Sequence, residues 1–314
     1  MKEYIIGKNE AGQRFDKYIF KLLKNAGTGL IFKQLRNKNI VLNGKKAKGN
    51  EILKENDSVR IFMSDDTINK FTGGPLHISK TGFRLDVIYE DDDILLASKP
   101  VGVLSQKSSD KDISMNEYLI EYLTDNGFGK ENLATFKPSF CNRLDRNTSG
   151  LMIAGKSLRG LQKMSEIIKD RSIHKFYLTI VKGKVDKKSV IKGYLRKDEK
   201  NNKVVIYDNP VKDSYEIHTE YEPLATKDDM TLLKVRLITG KTHQIRAHLA
   251  GISHPVLGDF KYGDKVFNEK YGEKRQLLHS YQVVFPKLDD FPDISEKSFN
   301  TPYPVNFTKY FKEN

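Results

Sequence analysis

The sequence predicts an α+β fold, in which a small module of helices and a hairpin precedes a larger, strand-rich domain. Over the first 62 residues, apolar residues repeat first with helical and then with strand spacing. Gly73, Gly74 and Pro75 interrupt this pattern. From residue 84 onward the apolar runs, such as "ILLAS" and "LMIAG", have the length of strands. We therefore predict a module at residues 1–62, a linker at 63–83 and a second domain at 84–314.

The module is predicted to contain two helices and three strands. "RFDKYIFKLLKN" predicts an amphipathic helix, because its apolar residues recur at i, i+3, i+4, i+7 and i+8. "LIFKQLRNKN" predicts a second, shorter helix that carries Lys33 and Arg36. "IVLNGKKAK" predicts a hairpin with an Asn-Gly turn and a basic strand that contains Lys45 and Lys46. "ENDSVRIFM" predicts a closing strand.

The second domain is predicted to alternate strands with a few helices. "LDVIYEDDDILLASKP" predicts two strands around an acidic turn, and "LMIAGK" predicts another strand. Ser157 is a suitable N-cap for a helix over "LRGLQKMSEIIKD". "HKFYLTIVKG" alternates as a strand, and "SVIKGYLRKDEKNNKVVIY" predicts a hairpin. "TLLKVRLITGKTHQIRAHLA" predicts a strand, a turn and a helix.

The charge of the chain favours a polyanionic partner. The net charge is +13, and residues 1–60 hold 14 basic and 6 acidic residues, a net charge of +8. Phosphate neutralisation and counterion release make nucleic acid the partner that such a basic segment suits. A solvated basic face is the alternative interpretation, and the clustering in one segment favours nucleic-acid binding.

Several classes of protein are disfavoured by what the sequence lacks. Its apolar runs are too short to span a bilayer, and its first residues have no apolar signal region. One cysteine, Cys141, rules out an internal disulfide and a cysteine metal cluster. His243 and His248 have the wrong spacing for a helical zinc pair, and no glycine-rich phosphate loop occurs. We expect a cytoplasmic monomer with no membrane partner, metal or nucleotide cofactor.

The stretch "CNRLDRNTSGLMIAGKS" carries a candidate catalytic group. Asp145 lies between Arg143 and Arg146, ahead of a turn-forming run. One interpretation is a solvated ion pair worth less than roughly 1 kcal/mol. The other is a functional carboxylate, since a neighbouring arginine favours its ionised form. The residues alone leave both interpretations open.

Five stretches of the chain resemble, in the right order, the RluA-type pseudouridine synthase family. They are "VIYEDDDILLASKPVG", "NRLDRNTSGLMIAGKS", "HKFYLTIVKG", "LITGKTHQIRAHLAGISHPVLGDFKYG" and "RQLLHSYQVVFP", within residues 84–288. Residues 12–62 resemble the alpha-L RNA-binding module that is usual in this family. The resemblance implies a mixed-sheet catalytic domain of pseudouridine synthase type, which isomerises uridine in RNA without a cofactor. Large-subunit ribosomal RNA is the expected target.

The resemblance also implies roles for particular residues. Asp145 would be the catalytic carboxylate, acting as a nucleophile or as a base at the sugar. Arg246 would pair with it. Tyr177 would pack against the flipped uracil, and its hydroxyl would assist proton transfer from carbon five. Leu278 would line the pocket.

Other residues would hold the RNA. Arg143 or Arg146 would fill the gap left by the flipped base. The expected phosphate contacts are Lys33, Arg36, Lys45, Lys46 and Lys241. Asn142 and Lys241 depart from the common family pattern, which has His and Arg there, and both departures bear on how the RNA is gripped.

Some of these residues, and the chain as a whole, also have less specific interpretations. Arg246 would otherwise contact a phosphate or form a surface ion pair, and Tyr177 and Leu278 would be core residues. For the whole chain, the alternatives are a non-catalytic RNA-binding ribosome assembly factor and a metal-dependent RNA hydrolase. The intact Asp145, Tyr177 and Arg246 argue against the first. The lack of a carboxylate-histidine ligand cluster argues against the second.

Overall fold

Two β-sheets, one of four strands and one of eleven, organise the part of the chain that the structure describes. The computed structural model describes residues 1–73, 80–129 and 133–312. The helices of this part are α1 (Phe15–Leu22), α2 (Thr28–Arg36), α3 (Asp65–Thr72), α4 (Met115–Asp125), α5 (Leu158–Lys169), α6 (Gln244–Gly251) and α7 (Lys265–Tyr271). The strands are β1 (Lys2–Ile5), β2 (Ile40–Leu42), β3 (Lys45–Lys46), β4 (Ser58–Ile61), β5 (Asp86–Glu90), β6 (Ile94–Lys99), β7 (Ser139–Phe140), β8 (Ser149–Gly155), β9 (His174–Lys182), β10 (Ser189–Asp198), β11 (Lys203–Tyr207), β12 (Tyr215–Lys227), β13 (Met230–Leu237), β14 (Leu278–Val284) and β15 (Ser298–Asn300).

The small sheet, in the order β1-β4-β2-β3, packs with α1 and α2 around the core of the module. Helix α2 buries Ile31 and Leu35 in this core, so its basic side chains remain exposed. The β2–β3 hairpin turns at Asn43 and Gly44, both with positive φ, as an Asn-Gly turn requires. The predicted helices and hairpin of the module are therefore present, and β1 adds a strand that was not predicted.

The segment predicted as a linker, residues 63–83, contains the helix α3. Ser64 caps the helix by accepting a hydrogen bond from the backbone N–H of Thr67. Ile68 is fully buried in the core of the module. A single buried residue gives no repeating apolar stripe, which is why the pattern did not reveal the helix. Residues 74–79, with Gly74 and Pro75, lie outside the described residues, and the domain boundaries remain a prediction.

The large sheet is mixed, as predicted. Its path is β11-β10-β12-β13-β9-β14-β8-β6-β5, with β15 against β14 and β7 against β8. The β8–β14 pair is parallel, and the other pairs are antiparallel. Strand β14, late in the chain, therefore lies near the middle of the sheet, between β9 and β8.

Both faces of the large sheet are covered. On β9, Tyr177 and Val181 point into one hydrophobic cluster, and Leu178 and Ile180 point into another. We call the face with Tyr177 the front face. Helices α4 and α6 contribute to the front cluster, whereas α5 and α7 pack on the back. The front face carries the candidate site.

The strands and helices predicted for the second domain are all present, including the cap of α5, where Ser157 accepts from the N–H of Gly160. The structure adds α4, α7, β7, β12 and β15, none of which was predicted. In the described ranges, no helix combines the length and apolar character that crossing a membrane demands.

Candidate active site

Asp145 lies in a tightly held turn between β7 and β8. The N–H of Leu144 donates to Ser105 Oγ at 2.9 Å, and the same Oγ donates to the Leu144 carbonyl at 2.7 Å. The N–H of Thr148 closes the turn onto the Asp145 carbonyl at 3.0 Å. Asn142 is buried, and its Oδ1 accepts from the N–H of Ile153 at 2.8 Å. Asn142 therefore supports the turn from inside, and the expectation that it bears on how the RNA is held stays a prediction.

Lys99, at the end of β6, holds the Asp145 turn in place through hydrogen bonds. Its fully buried side chain donates to the carbonyls of Pro100, Val103 and Arg146 at 2.9, 2.8 and 3.0 Å. Burial lowers the pKa of Lys99 to about 8, and the negative charge of Asp145 opposes this shift. The lysine thus connects the loop after β6 to the residue that follows Asp145.

Position 150, at the end of the turn, has no room for a side chain. Its φ is +105°, and a Cβ built on it would lie 2.1 Å from the carbonyl oxygen of Ser280. Gly150 pairs with Ser280 in the parallel register of β8 and β14. Only glycine permits this approach, which brings the two strands together directly behind Asp145.

Helix α6 begins at the opposite wall. Its first residue, Gln244, is buried, and its amide donates to the His218 carbonyl and accepts from Thr239 Oγ1 at 3.0 and 2.9 Å. The preceding His243 has a φ of +55° and lies with Nε2 3.9 Å from Asp145 Oδ2. Burial lowers the pKa of His243, and Asp145 opposes this shift. These contacts fix the start of the helix that carries Arg246.

Arg246 bridges two carboxylates. Its Nη1 donates to Asp145 Oδ2 at 2.7 Å, and its Nε and Nη2 donate to the oxygens of Asp259 at 2.7 and 2.9 Å. Asp259 is fully buried, whereas the Asp145 side chain is 24% exposed. Burial opposes the charge of Arg246, but Asp259 and Asp145 together raise its pKa above the ordinary value. The arrangement is a buried cation held by Asp259 and presented to a partly exposed Asp145, not a surface ion pair.

Tyr177 and Leu278 line the same cavity as Asp145 and Arg246. Both are 5% exposed, on the adjacent strands β9 and β14. Burial raises the pKa of Tyr177 to about 12, a hydrogen bond with Ser280 opposes this, and the charge of Asp145 adds to it. The phenol is therefore protonated near neutral pH.

The basic residues near Asp145 differ in their contacts. Arg143 is exposed, lines the cavity, and has no hydrogen bond or ion pair with the residues that the structure describes. Arg146 is exposed, and its Nε donates to the Gly102 carbonyl at 2.9 Å. Neither contacts the Asp145 carboxylate, which Arg246 does instead. Lys241 lines the cavity, with Nζ 3.8 Å from the centre of the Tyr215 ring.

The four basic residues predicted in the module are all exposed, on α2 (Lys33 and Arg36) and on β3 (Lys45 and Lys46). They do not line the cavity that holds Asp145. The four basic residues of the module therefore belong to a surface that is distinct from the cavity of the second domain.

Three features of the site were not predicted from the sequence: the pinning by Lys99, the helix start at His243 and Gln244, and the anchor Asp259. Only the dense polar run "THQIR" and the aspartate in "GDFKYG" were available as signals. Across the described ranges, no group of three or more histidine, cysteine or acidic side chains is placed to bind a metal.

Comparisons with known proteins define the class. The family model described as RNA pseudouridylate synthase matches residues 93–251. An uncharacterised RNA pseudouridine synthase of Mycoplasma genitalium is 31% identical over 304 residues, 94% of this chain and 93% of that protein. The ribosomal large subunit pseudouridine synthase C of Pasteurella multocida is 29% identical over 295 residues, 91% of this chain and 86% of that protein.

The solved structure of human RNA pseudouridylate synthase domain containing 4 shares the fold, with a TM-score of 0.58 over 71% of this chain and 90% of that one at 20% identity. The chain belongs to the RNA pseudouridylate synthase family. It is an RNA pseudouridine synthase, an isomerase, as the sequence predicted.

Proposed function

We propose that this enzyme isomerises specific uridines in large-subunit ribosomal RNA, with Asp145 as the catalytic carboxylate. The choice of RNA is supported by relatives named ribosomal large subunit pseudouridine synthase C, such as that of Haemophilus influenzae at 28% identity. The choice of residue is supported chiefly by one observation. Asp145 is partly exposed at the cavity, and Arg246 binds only its Oδ2.

The free oxygen suits the chemistry. Oδ1 of Asp145 has no hydrogen bond with the part of the chain that the structure describes. In the reaction the bond from uracil N1 to C1′ of ribose breaks, the ring turns and C5 bonds to C1′. The proton on C5 then leaves and N1 takes one up, so the product is an isomer of the substrate. An ionised carboxylate serves either as a nucleophile or as a base at the sugar. In both cases its negative charge stabilises positive charge at C1′. Arg246 orients this carboxylate through its hydrogen bond to Oδ2 and places a positive charge beside it.

The ring of Tyr177 packs against the flipped uracil at one side of the cavity. Its ring and Leu278 are among the apolar side chains that line the cavity, on the paired strands β9 and β14. Its hydroxyl, protonated near neutral pH, assists transfer of the proton that leaves carbon five.

Arg143, not Arg146, fills the gap left by the flipped base in this proposal. Arg143 lines the cavity and is free of the contacts that hold Arg146 to Gly102. Its planar guanidinium suits stacking on bases. Lys241 holds the RNA backbone at the cavity, and Lys33, Arg36, Lys45 and Lys46 hold it at the module.

Asp145→Asn tests the proposal. The change is nearly isosteric, and Asp259 still binds Arg246, so the fold should persist. An amide is neither a nucleophile nor a base here, so release of tritium from uridine labelled at carbon five should fall by more than the roughly 10²–10⁴-fold typical of losing an acid or base. RNA binding should persist, because the change removes a charge that repels phosphates.

The matched control is Asp264→Asn, which removes another carboxylate that binds a cation, Lys182, away from the cavity. It should release tritium at the wild-type rate. A wild-type rate in Asp145→Asn would contradict the proposed role. RNA binding by the wild-type protein without tritium release from ribosomal RNA would favour the alternative of a non-catalytic assembly factor.

A further inference from the structure

A second cavity shares Arg246 with the cavity of Asp145. Its volume is about 220 Å³, against the roughly 10–15 Å³ that one water needs, so it has room for a ring-sized ligand. Its side-chain lining, besides Arg246, consists of Asn147, Phe260, Lys261, Arg275 and Gln276. None of these lining residues was assigned a role in the proposed reaction.

The ring of Phe260 is presented to solvent on a fixed loop. The side chain is 71% exposed, which is unusual for so large an apolar group. The loop is held because the N–H groups of Lys261 and Tyr262 donate to Asp259 Oδ1 at 2.8 and 3.1 Å. The same aspartate anchors Arg246. An exposed ring whose position is tied to the catalytic arginine is suited to stacking on a base.

The charge around this ring suits a phosphate backbone. Arg275 is exposed and has no hydrogen bond or ion pair within the described ranges. Its Nη1 would lie 3.6 Å from a Cβ at Gly102, so the guanidinium lies beside the loop that Lys99 ties to the Asp145 turn. Lys261 adds a second positive charge, and its Nζ donates to the Asn202 carbonyl at 2.6 Å.

We propose that this cavity is a second nucleotide site, in which Phe260 stacks on the base of a nucleotide next to the target uridine and Arg275 contacts the RNA backbone. The inference rests on the proposed function, because it takes the occupant of the first cavity to be the target uridine. The shared wall of Arg246 makes the two sites neighbours, as successive nucleotides of one strand require. The site would let the enzyme grip the RNA beside the residue that it modifies.

Tryptophan fluorescence tests the stacking directly, because the chain contains no tryptophan. In Phe260→Trp the new indole is the only one, and stacking on a base should quench it when large-subunit ribosomal RNA transcript is added. The control is Val305→Trp, at a position that is 83% exposed in the short 3₁₀ helix Val305–Phe307. Phe307 packs in the back cluster with Leu178, away from the cavity. Equal responses of the two proteins at saturating RNA would overturn the inference.

Kinetics test whether the stacking serves the reaction. Phe260→Ala should raise KM for the transcript by about 5- to 150-fold, the range expected when one base–aromatic stack is removed. Turnover at saturating RNA should stay close to wild type, because the catalytic groups are untouched. Phe260→Tyr should restore the wild-type KM, whereas Phe260→Leu should not, since leucine keeps apolar bulk without a flat ring. Recovery by leucine would contradict stacking.

Arg275→Gln tests the interaction with the backbone. The slope of log affinity against log salt should fall by roughly 0.7–0.9, as expected when one phosphate is no longer neutralised. An unchanged slope would remove Arg275 from the site. The fluorescence measurement needs no turnover, so it decides the inference separately from the proposed function, which the tritium release of the wild-type enzyme decides.

Discussion

Asp259 determines where the guanidinium of Arg246 points, although it lies outside the cavity of Asp145. Asp259→Asn removes the charge that balances a buried arginine, so the free energy of unfolding should fall by up to about 3–5 kcal/mol. Turnover should fall on the order of 10²-fold, the cost of a small misplacement of a catalytic group. Tritium release and urea unfolding measure the two effects.

The control separates positioning from general loosening. Asp264 also pairs with a lysine and caps α7 through the N–H of Phe267, so Asp264→Asn should lower stability without changing turnover. A comparable loss of turnover in both variants would show that Asp259 has no specific effect on Arg246.

Tyr177→Phe isolates the hydroxyl of the cavity wall. The ring stays, so RNA binding should remain close to wild type. If the hydroxyl relays a proton, turnover should fall by roughly 10²-fold or more. Tyr221→Phe, a buried tyrosine of the same front cluster, is the matched control and should keep wild-type turnover. Equal turnover of Tyr177→Phe and wild type would leave Tyr177 as a packing residue.

At the scale of residues, motifs predicted the candidate site better than single positions did. Asp145, Tyr177, Arg246 and Leu278 do line one cavity, although Asp145 and Arg246 are 101 positions apart. The role of Asp259 could not be predicted from the sequence. An aspartate that binds an arginine cannot be distinguished from a surface aspartate until the fold brings the two residues together. The same holds for the buried Lys99, since a lysine in a sequence predicts an exposed side chain.

At the scale of elements, α2 presents the basic residues that we expect to bind RNA. Lys33→Gln combined with Arg36→Gln should reduce the slope of log affinity against log salt by roughly 0.7–0.9 for each phosphate that is no longer neutralised. Folding should be unaffected, since Ile31 and Leu35 hold the helix in place. Tritium release at saturating RNA should survive.

The control for α2 is Lys265→Gln, an exposed lysine on α7 at the back of the sheet. Filter binding over a range of salt concentrations gives the slopes. An unchanged slope in the double variant would mean that α2 does not contact RNA phosphates.

Elements with repeated apolar positions were predictable, and isolated ones were not. Those strands of the large sheet that were predicted, and α1, carry a period that the sequence displays. Helix α3 buries only Ile68, and β15 has three residues, so neither shows a period. Helix α4 is different, because the capping box of Ser114 and Glu117 is legible in the sequence, and its start was therefore predictable.

At the scale of the whole molecule, the titration of His279 should make the free energy of unfolding depend on pH. Its ring is buried on β14, between Ser149 Oγ and Thr301 Oγ1 at 2.8 and 2.6 Å. Burial lowers its pKa from 6.5 to about 4. Between these values the unfolded chain binds a proton that the folded chain does not, so stability present above pH 6.5 is lost as the pH falls toward 4. The loss is on the order of 3 kcal/mol.

Urea unfolding between pH 7 and pH 4.5 measures this loss. His279→Gln cannot titrate at this position, so its free energy of unfolding should decline less steeply than that of the wild type. All other titrating groups are common to both proteins, and the difference between the two profiles isolates His279. Parallel profiles would contradict the assignment.

The central place of β14 has a consequence for synthesis on the ribosome. Strands β8 and β9 flank β14, yet residues 183–277 separate the end of β9 from the start of β14. At roughly 5–20 residues per second, the ribosome needs about 5–20 s to supply the strand between them. During this interval the facing edges of β8 and β9 stay unpaired, and such edges readily pair with other chains. We therefore expect the nascent chain to be most prone to mispairing in this interval, and the pairing that sets Gly150 against Ser280 behind Asp145 is completed only after β14 has emerged.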